Sequence, residues 1–113
     1  MSEHFAYDDR LGMEVPRLMR EWSEYTVEER ERILADWESL RGGIPAVIAR
    51  FEEEINDRHE RLQRVEDWDE SVRLLTEVND YASRINDLNI LFRTQPDVES
   101  PEHDAQEHHD REK

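Results

Sequence analysis

Residues 44–92 read IPAVIARFEEEINDRHERLQRVEDWDESVRLLTEVNDYASRINDLNILF. In the first part of this stretch, apolar side chains recur at alternating steps of three and four residues, with Arg58 in the one gap: Ile44, Ile48, Phe51, Ile55, Leu62 and Val65. The later part repeats the spacing with Leu75, Val78, Ala82, Ile85 and Phe92. This spacing keeps one apolar stripe on one side of a helix. Because the polar segment 66–70 separates the two stripes, the sequence predicts two helices folded back as an antiparallel hairpin.

The hairpin arms are predicted at about residues 45–66 and 69–93. Asp67, followed three residues later by Glu70, provides an N-terminal cap for the second arm. Trp68 is expected to cover the open end of the apolar seam between the arms.

Two polar residues, Arg58 and Asn89, fall at seam positions where an apolar side chain is expected. Polar residues at such positions often fix helix register and orientation at some cost in stability. In an antiparallel hairpin Arg58 lies nearer the turn and Asn89 nearer the open end, so we do not expect them to pair. Arg58 is expected to extend outward along its aliphatic stem.

A capping box precedes the hairpin, because Thr26 is followed three residues later by Glu29. The helix that begins there is expected to stop at Gly42-Gly43, with the first glycine left-handed. Before it, Pro16 is predicted to open a short helix. Residues 1–15 show no sustained period and are interpreted as an N-terminal strap.

These elements predict an all-α fold, in which one or two shorter N-terminal helices pack on the long hairpin as in a three-helix bundle. We expect the helical domain to span residues 16–94. Residues 95–113 contain two prolines and many charges, which favours a disordered acidic tail.

Composition restricts the class of protein further. The chain has 113 residues, 40% of them charged, and a formal net charge of −15. Such a charge disfavours direct binding to nucleic acid or to anionic membranes. No apolar run is long enough for a transmembrane helix, and the N-terminus lacks the pattern of a secretory signal. We therefore expect a cytoplasmic protein with no membrane association.

The second arm carries more apolar surface than one partner helix can cover. Leu74, Tyr81 and Leu88 recur at steps of seven beside the predicted seam. The short helix before the hairpin can fold over them, or they can contact a second protein. Trp22 and Trp37 are candidate anchors of the same interface, because tryptophan often dominates binding energy.

No catalytic or metal-ligating constellation is evident in the sequence. Helical di-iron sites use Glu-x-x-His, but Asn56 stands three residues before His59. The chain has no cysteine and no glycine-rich phosphate loop. We therefore assign no catalytic, metal or cofactor-binding residues and expect no cofactor.

The sequence favours a non-enzymatic helical interaction module, such as an adaptor, assembly factor or regulator. An acidic mimic of nucleic acid that binds a basic protein surface is an alternative, motivated by the charge of −15. A small metal or cofactor-binding protein is another. We expect a homodimer, because a thin, highly charged core gains stability by burying more surface. The protein partner is otherwise unspecified.

Overall fold

The computed structural model of the chain describes residues 3–94. Its elements in chain order are strand β1 (Phe5–Asp8), strand β2 (Met13–Pro16), a short 3-10 helix (Trp22–Glu24), and helices α1 (Val27–Arg41), α2 (Ile44–Leu62) and α3 (Trp68–Phe92). The fold is mostly helical: α1 and α2 form one long bent helix of 36 residues, and α3 packs on it. The predicted acidic tail, residues 95–113, lies outside the described residues.

Helix α1 begins at the predicted capping box. The Thr26 hydroxyl accepts a hydrogen bond from the Glu29 backbone N–H at 3.1 Å, and the Glu29 carboxylate accepts one from the Thr26 N–H at 2.9 Å. The second bond is the main cause that holds the pKa of Glu29 below its usual value. The reciprocal pair satisfies two backbone donors that the first helical turn leaves without intrahelical partners.

The prediction that Gly42 ends the helix in a left-handed conformation is wrong. Gly42 has φ −62° and ψ −19°, which is right-handed helical geometry. The chain bends here and continues as α2 instead of turning back. Pro45 contributes to the bend because it has no N–H to donate to the carbonyl of Arg41. Helix α1 therefore extends the axis of α2 and does not lie alongside the hairpin as a third bundle helix.

Helices α2 and α3 form an antiparallel pair. The rings of Phe51 and Tyr81, one from each helix, are 5.5 Å apart. The Asp67 carboxylate accepts from the Glu70 N–H at 2.9 Å, which confirms the predicted cap of α3. On α2 the predicted seam is buried or partly buried at Ile44, Ile48, Phe51, Ile55 and Leu62.

The seam of α3 is rotated relative to the prediction. Leu74 and Leu88 are fully buried, whereas Leu75 is 50% exposed and Ala82 and Asn89 are exposed. The predicted seam and the observed seam both contain Val78 and Ile85, so the spacing of apolar residues in the sequence does not distinguish between them. The observed rotation faces Leu74, Tyr81 and Leu88 toward α2; Leu74 and Leu75 are equal in size, but Tyr81 is larger than Ala82 and Leu88 is larger and more apolar than Asn89. The rotation therefore removes more apolar surface from water.

The N-terminal region forms a β-hairpin, so the fold is not all-α. Strands β1 and β2 pair antiparallel, with Phe5 opposite Pro16 and Asp8 opposite Met13. The Asp8 carboxylate accepts from the Leu11 N–H at 3.0 Å in the connecting turn. Gly12 has φ +72°, a conformation that side-chain-bearing residues rarely adopt. Apolar residues on the strands and the turn then pack against α1 and the end of α3.

The short helix predicted after Pro16 is also absent, and residues 17–21 are irregular. The buried side chain of Tyr25 organises this segment, because its hydroxyl accepts from the backbone N–H groups of Met19 and Arg20 at 3.1 and 3.3 Å. Those hydrogen bonds replace the intrahelical bonds that a helix would have supplied. The main core lies where the β-hairpin, α1, the start of α2 and the end of α3 meet. Its buried side chains are Phe5, Leu11, Met13, Tyr25, Ile33, Trp37, Ile44, Val47 and Leu88.

Candidate protein interface

Helix α3 separates its side chains into three stripes. The first, which we call the inner seam, faces α2 and consists of Leu74, Val78, Tyr81, Ile85 and Leu88. The second, the charged stripe, consists of Glu70, Arg73, Glu77, Asp80, Arg84 and Asp87. The third, the outer stripe, consists of Trp68, Val72, Leu75, Asn79, Ala82 and Asn86. Each stripe repeats at steps of three and four, so each runs along one side of the helix.

The charged stripe borders the inner seam and is paired within the chain. Arg73 bonds to Glu70 and lies 3.4 Å from Glu77, and Arg84 lies 2.7 Å from Asp80. Asp87 accepts from Arg10, which belongs to the turn of the β-hairpin, at 2.6 Å. Every ionic side chain from residue 70 to 87 of α3 therefore contacts an opposite charge.

Arg58 connects the charged stripe to α2. Its Nε donates to Glu77 at 2.9 Å and its Nη1 donates to Glu54 at 2.7 Å. The guanidinium also lies 5.0 Å from the centre of the Tyr81 ring. The side chain is only 15% exposed, so it bridges the two helices and does not extend outward as expected from the sequence. Charge and aromatic contacts of Arg58 together connect α2 to α3 near the turn of the hairpin.

The same bridge shifts the pKa values of its members. The hydrogen bond from Arg58 holds the pKa of Glu77 below its usual value, against the opposing effect of partial burial. Burial lowers the pKa of Arg58, but its hydrogen bonds to Glu54 and Glu77 outweigh that effect and raise the pKa above the usual arginine value. Both shifts favour the charged forms, so the bridge is ionised at neutral pH.

All six residues of the outer stripe are exposed, and none is charged. Trp68 is 77% exposed, Val72 42% and Leu75 50%, so the first two turns of α3 present a contiguous apolar surface. The side chains next to the stripe at Ser71, Thr76 and Ser83 are also uncharged. At 3.6 residues per turn, this uncharged exposed surface covers an arc of roughly 140° of the helix circumference.

The five predicted interface residues occupy different environments. Trp37, Leu74 and Leu88 are at most 1% exposed and are covered by the same chain. Trp22 and Tyr81 are partly exposed. Trp22 packs at the edge of the main core, whereas Tyr81 lies between Arg58 and Arg84 over the seam. A protein interface at these positions stays a prediction, and for the three buried residues it would require the helices to separate.

Asn89 does not occupy the seam. It is exposed on the outer side of α3, one residue after the buried Leu88. The apparent polar gap in the predicted seam follows from the rotation of α3, because Leu88 fills the layer that Asn89 was expected to fill. Arg58, by contrast, lies in the seam as the spacing predicts.

The outer stripe was not identified from the sequence, because Leu75 and Ala82 were assigned to the seam and the surplus apolar surface was assigned to Leu74, Tyr81 and Leu88. A different signal was present: from Glu70 to Phe92, every charge falls at one of six positions spaced by three and four. In a chain with 40% charged residues, a helix that confines its charges to one side leaves an uncharged side that calls for explanation. Trp68, Asn79 and Asn86 belong to that side.

Residues 3–94 also form grooves away from the outer stripe, and one of them, between the β-hairpin and the end of α3, is lined by Leu11, Val15, Ile90 and Leu91 together with Asp8 and Asp87. A groove near β1 is lined by Glu3, His4, Glu14, Arg32 and Asp36, and it mixes both signs of charge. Within residues 3–94, no group of three or more His, Cys, Asp or Glu side chains is arranged to hold a metal ion. None of the helices in that range has the length and apolarity needed to span a membrane.

Comparison with known proteins gives no additional guide. No protein-family model matches the chain, and no similar curated protein or solved structure was found.

Proposed function

We propose that this protein is a non-enzymatic protein–protein interaction module whose binding surface is the outer stripe of α3. The observation that supports the proposal most directly is the combination of exposed Trp68, Val72 and Leu75 with the complete absence of charge along the stripe. Exposed apolar surface that is continuous over two helical turns and includes a tryptophan is typical of a surface that another protein covers.

The distribution of charge supports the same proposal. Salt bridges pair the ionic groups of residues 70–87 of α3 along the charged stripe, and the outer stripe carries no charged group that a partner would have to desolvate. Burying unpaired charge at an interface is costly, so an uncharged stripe is suited to close contact. Trp68 is suited to act as an anchor because aromatic side chains contribute large contact areas.

The alternative of a nucleic-acid mimic has less support. A mimic requires unpaired carboxylates ordered on one face, so that they can contact a basic partner. On the hairpin, Glu54, Asp57, Glu77 and Asp80 are instead engaged by arginines of the same chain. Their charge is partly compensated before any partner approaches.

Affinity capture with matched variants tests the proposal. The full-length chain is used as bait in a native lysate beside a double variant, Val72→Glu with Leu75→Glu. A control double variant, Ala49→Glu with Asn56→Glu, adds the same two charges at exposed positions of α2. We expect the wild type and the control to retain the same partners, and the α3 variant to lose them.

The capture experiment is interpreted only if all three chains have the same helical circular dichroism. Because the four substituted residues are exposed, we expect no loss of helix. An identical set of bound proteins on all three baits, or none on the wild type together with a lack of self-association, would contradict the proposed function.

A further inference from the structure

We propose that the outer stripe of α3 pairs with the outer stripe of a second copy of this chain, with the two α3 helices parallel and in register. This inference rests on the proposed function, because it names the partner that covers the proposed surface. Three properties of the stripe favour a second copy: its position relative to the charges, its heptad pattern and the placement of its amides.

The first property is the absence of charge. Each chain carries a formal net charge of −15, so two copies repel one another over most of their surface. They can approach closely only where neither presents carboxylates. The outer stripe provides such a surface over about 27 Å, the length of 18 residues of α-helix. A basic partner would instead be expected to contact carboxylates, and the stripe has none.

The second property is the heptad pattern. Val72, Asn79 and Asn86 recur at steps of seven, and Trp68, Leu75 and Ala82 recur at steps of seven between them. These two sets correspond to the a and d positions of a coiled coil. A β-branched residue at a, leucine at d and asparagine at a single a position are features of parallel two-stranded coils. Val72 at a and Leu75 at d have this form, whereas asparagine occupies two successive a positions, Asn79 and Asn86, which specifies register at a greater cost in stability.

The third property is the match between like side chains. In a parallel pair, Asn79 meets Asn79 of the second copy and Asn86 meets Asn86, so the amides can donate and accept between themselves. Leu75 then meets Leu75. A helix with an entirely apolar face would instead leave these amides without partners, which costs free energy when they are buried.

Antiparallel pairing lacks this match. In an antiparallel coil an a position faces a d position, so Asn79 would face Leu75 or Ala82 of the other copy. Asn86 would then face Trp68 or Leu75. Each of these arrangements places an amide against an apolar side chain. In the parallel orientation, therefore, apolar residues contact apolar residues and asparagines contact asparagines.

Sedimentation of the full-length chain at low and high NaCl tests self-pairing. Added salt screens repulsion between the two negative chains without weakening an uncharged interface. We therefore expect a concentration-dependent dimer whose dissociation constant falls at least threefold between 50 and 500 mM NaCl, by our estimate of this screening. A dissociation constant that rises with salt would overturn the proposal, as would a monomer at every concentration and salt.

A charge substitution with a matched control locates the interface. Leu75→Glu places a carboxylate in the stripe, and we expect the dissociation constant to rise by roughly tenfold or more, because a buried unpaired charge is costly. Asn56→Glu adds the same charge at an exposed position of α2 and should leave the constant within about twofold. Equal effects of the two substitutions would overturn the assignment to α3.

A disulfide test determines the orientation. The native chain has no cysteine, so Asn86→Cys introduces a single thiol. Parallel pairing brings the two thiols to adjacent seam positions, within the separation of roughly 7 Å between Cα atoms that a disulfide requires. Antiparallel pairing moves them more than about 14 Å apart. Under mild oxidation we expect covalent dimers from Asn86→Cys and none from Asn56→Cys, and the reverse or no crosslink would overturn the parallel arrangement.

Failure here can be separated from failure of the proposed function. If the chain stays monomeric but the α3 double variant loses other proteins in the capture experiment, self-pairing is overturned. The proposal that the protein is an interaction module then still holds. A dimer that is unaffected by Leu75→Glu, combined with unchanged capture, would overturn both.

Discussion

The two ends of the α2–α3 hairpin are stabilised in different ways. At the base, where α2 begins and α3 ends, Ile44 and Leu88 are completely buried among side chains of α1 and the β-hairpin. At the tip, within residues 52–84, Leu74 is the one buried side chain. The tip has only two layers, α2 and α3, and Arg58 joins them through Glu54 and Glu77.

This difference separates the part of the hairpin that is stabilised mainly by apolar burial from the part that carries the proposed interface. The base depends on apolar burial, which does not depend on pH or salt through any charge of its own. The tip depends in part on ionic contacts, and it also leaves Trp68, Val72 and Leu75 exposed, which are the residues of the proposed interface. A two-layer tip has exposed surface available for binding because no third element covers it.

The first prediction compares a tryptophan at each end. Trp37 is 1% exposed at the base, and its Nε1 donates to the Thr94 carbonyl at 3.0 Å, whereas Trp68 is 77% exposed at the tip. We expect Trp37→Ala to lower the free energy of unfolding by about 3–5 kcal/mol. Trp68→Ala should change it by less than about 0.5 kcal/mol when the chain is monomeric. Urea unfolding followed by circular dichroism measures both, and equal effects would contradict the contrast.

The second prediction compares two leucines that are both fully buried. Leu88→Ala opens a cavity in the multilayered core at the base, where surrounding elements restrict collapse. Leu74→Ala opens one between two helices that can move closer. Both should destabilise the chain within a range of about 2–5 kcal/mol, with Leu88→Ala the larger. Urea titrations of the two variants test the order, and a larger loss for Leu74→Ala would show that the tip is as rigid as the base.

The third prediction concerns the Arg58 bridge at the tip. Arg58→Met keeps much of the aliphatic stem over Tyr81 but removes the hydrogen bonds to Glu54 and Glu77. We expect a loss of roughly 1–2 kcal/mol at low salt, because hydrogen bonds to charged groups contribute about 1.5–3 kcal/mol and solvent exposure of both carboxylates reduces that amount. The loss should diminish in high salt, where the wild-type bridge is screened. An equal change at all salt concentrations would indicate that packing alone holds the tip.

The fourth prediction concerns acid. The pKa of Glu77 is lower in the folded chain than its ordinary value, so the unfolded state binds more protons between the two values. Its contribution is present above the ordinary glutamate range, and it is lost as the pH falls from about 4.3 through the lower folded pKa. We expect Glu77→Gln to lose less stability than the wild type over that interval. Thermal melts from pH 6 to pH 3 measure the difference, and parallel curves would count against the bridge.

Local signals in the sequence predicted the helices well. The capping box at Thr26 and Glu29 and the cap at Asp67 depend on contacts only three residues apart, and both are present. The seam of α2 was predictable because its other faces are strongly charged. In such cases the local pattern leaves one arrangement that buries the apolar residues.

The N-terminal β-hairpin was not predicted, although its signals were present in outline. Phe5 and Tyr7 alternate, as do Met13 and Val15, and Gly12 marks the turn. Strands of four residues are too short for alternation to be distinctive, and an isolated hairpin is marginal in water. Its pairing depends on packing against α1 and α3, which are distant in sequence.

The choice between the two α3 stripes was also beyond local reasoning. Leu74 and Leu75 are adjacent leucines, and each heads a set of residues spaced by seven. Which set faces inward depends on the partner helix: Phe51 packs on Tyr81, and Arg58 pairs with Glu77. The candidate interface also depends on these contacts with α2, because it consists of the α3 residues that the rotation leaves exposed.

By itself, the order of residues determined that this protein is built on a helical hairpin, since apolar spacing and helix caps act over one or two turns of chain. Tertiary structure alone decided the bend that joins α1 to α2, the β-hairpin at the base and the side of α3 that faces outward. Those features depend on contacts between segments far apart in the chain, where burial of large side chains and pairing of charges select among arrangements that the local pattern permits equally.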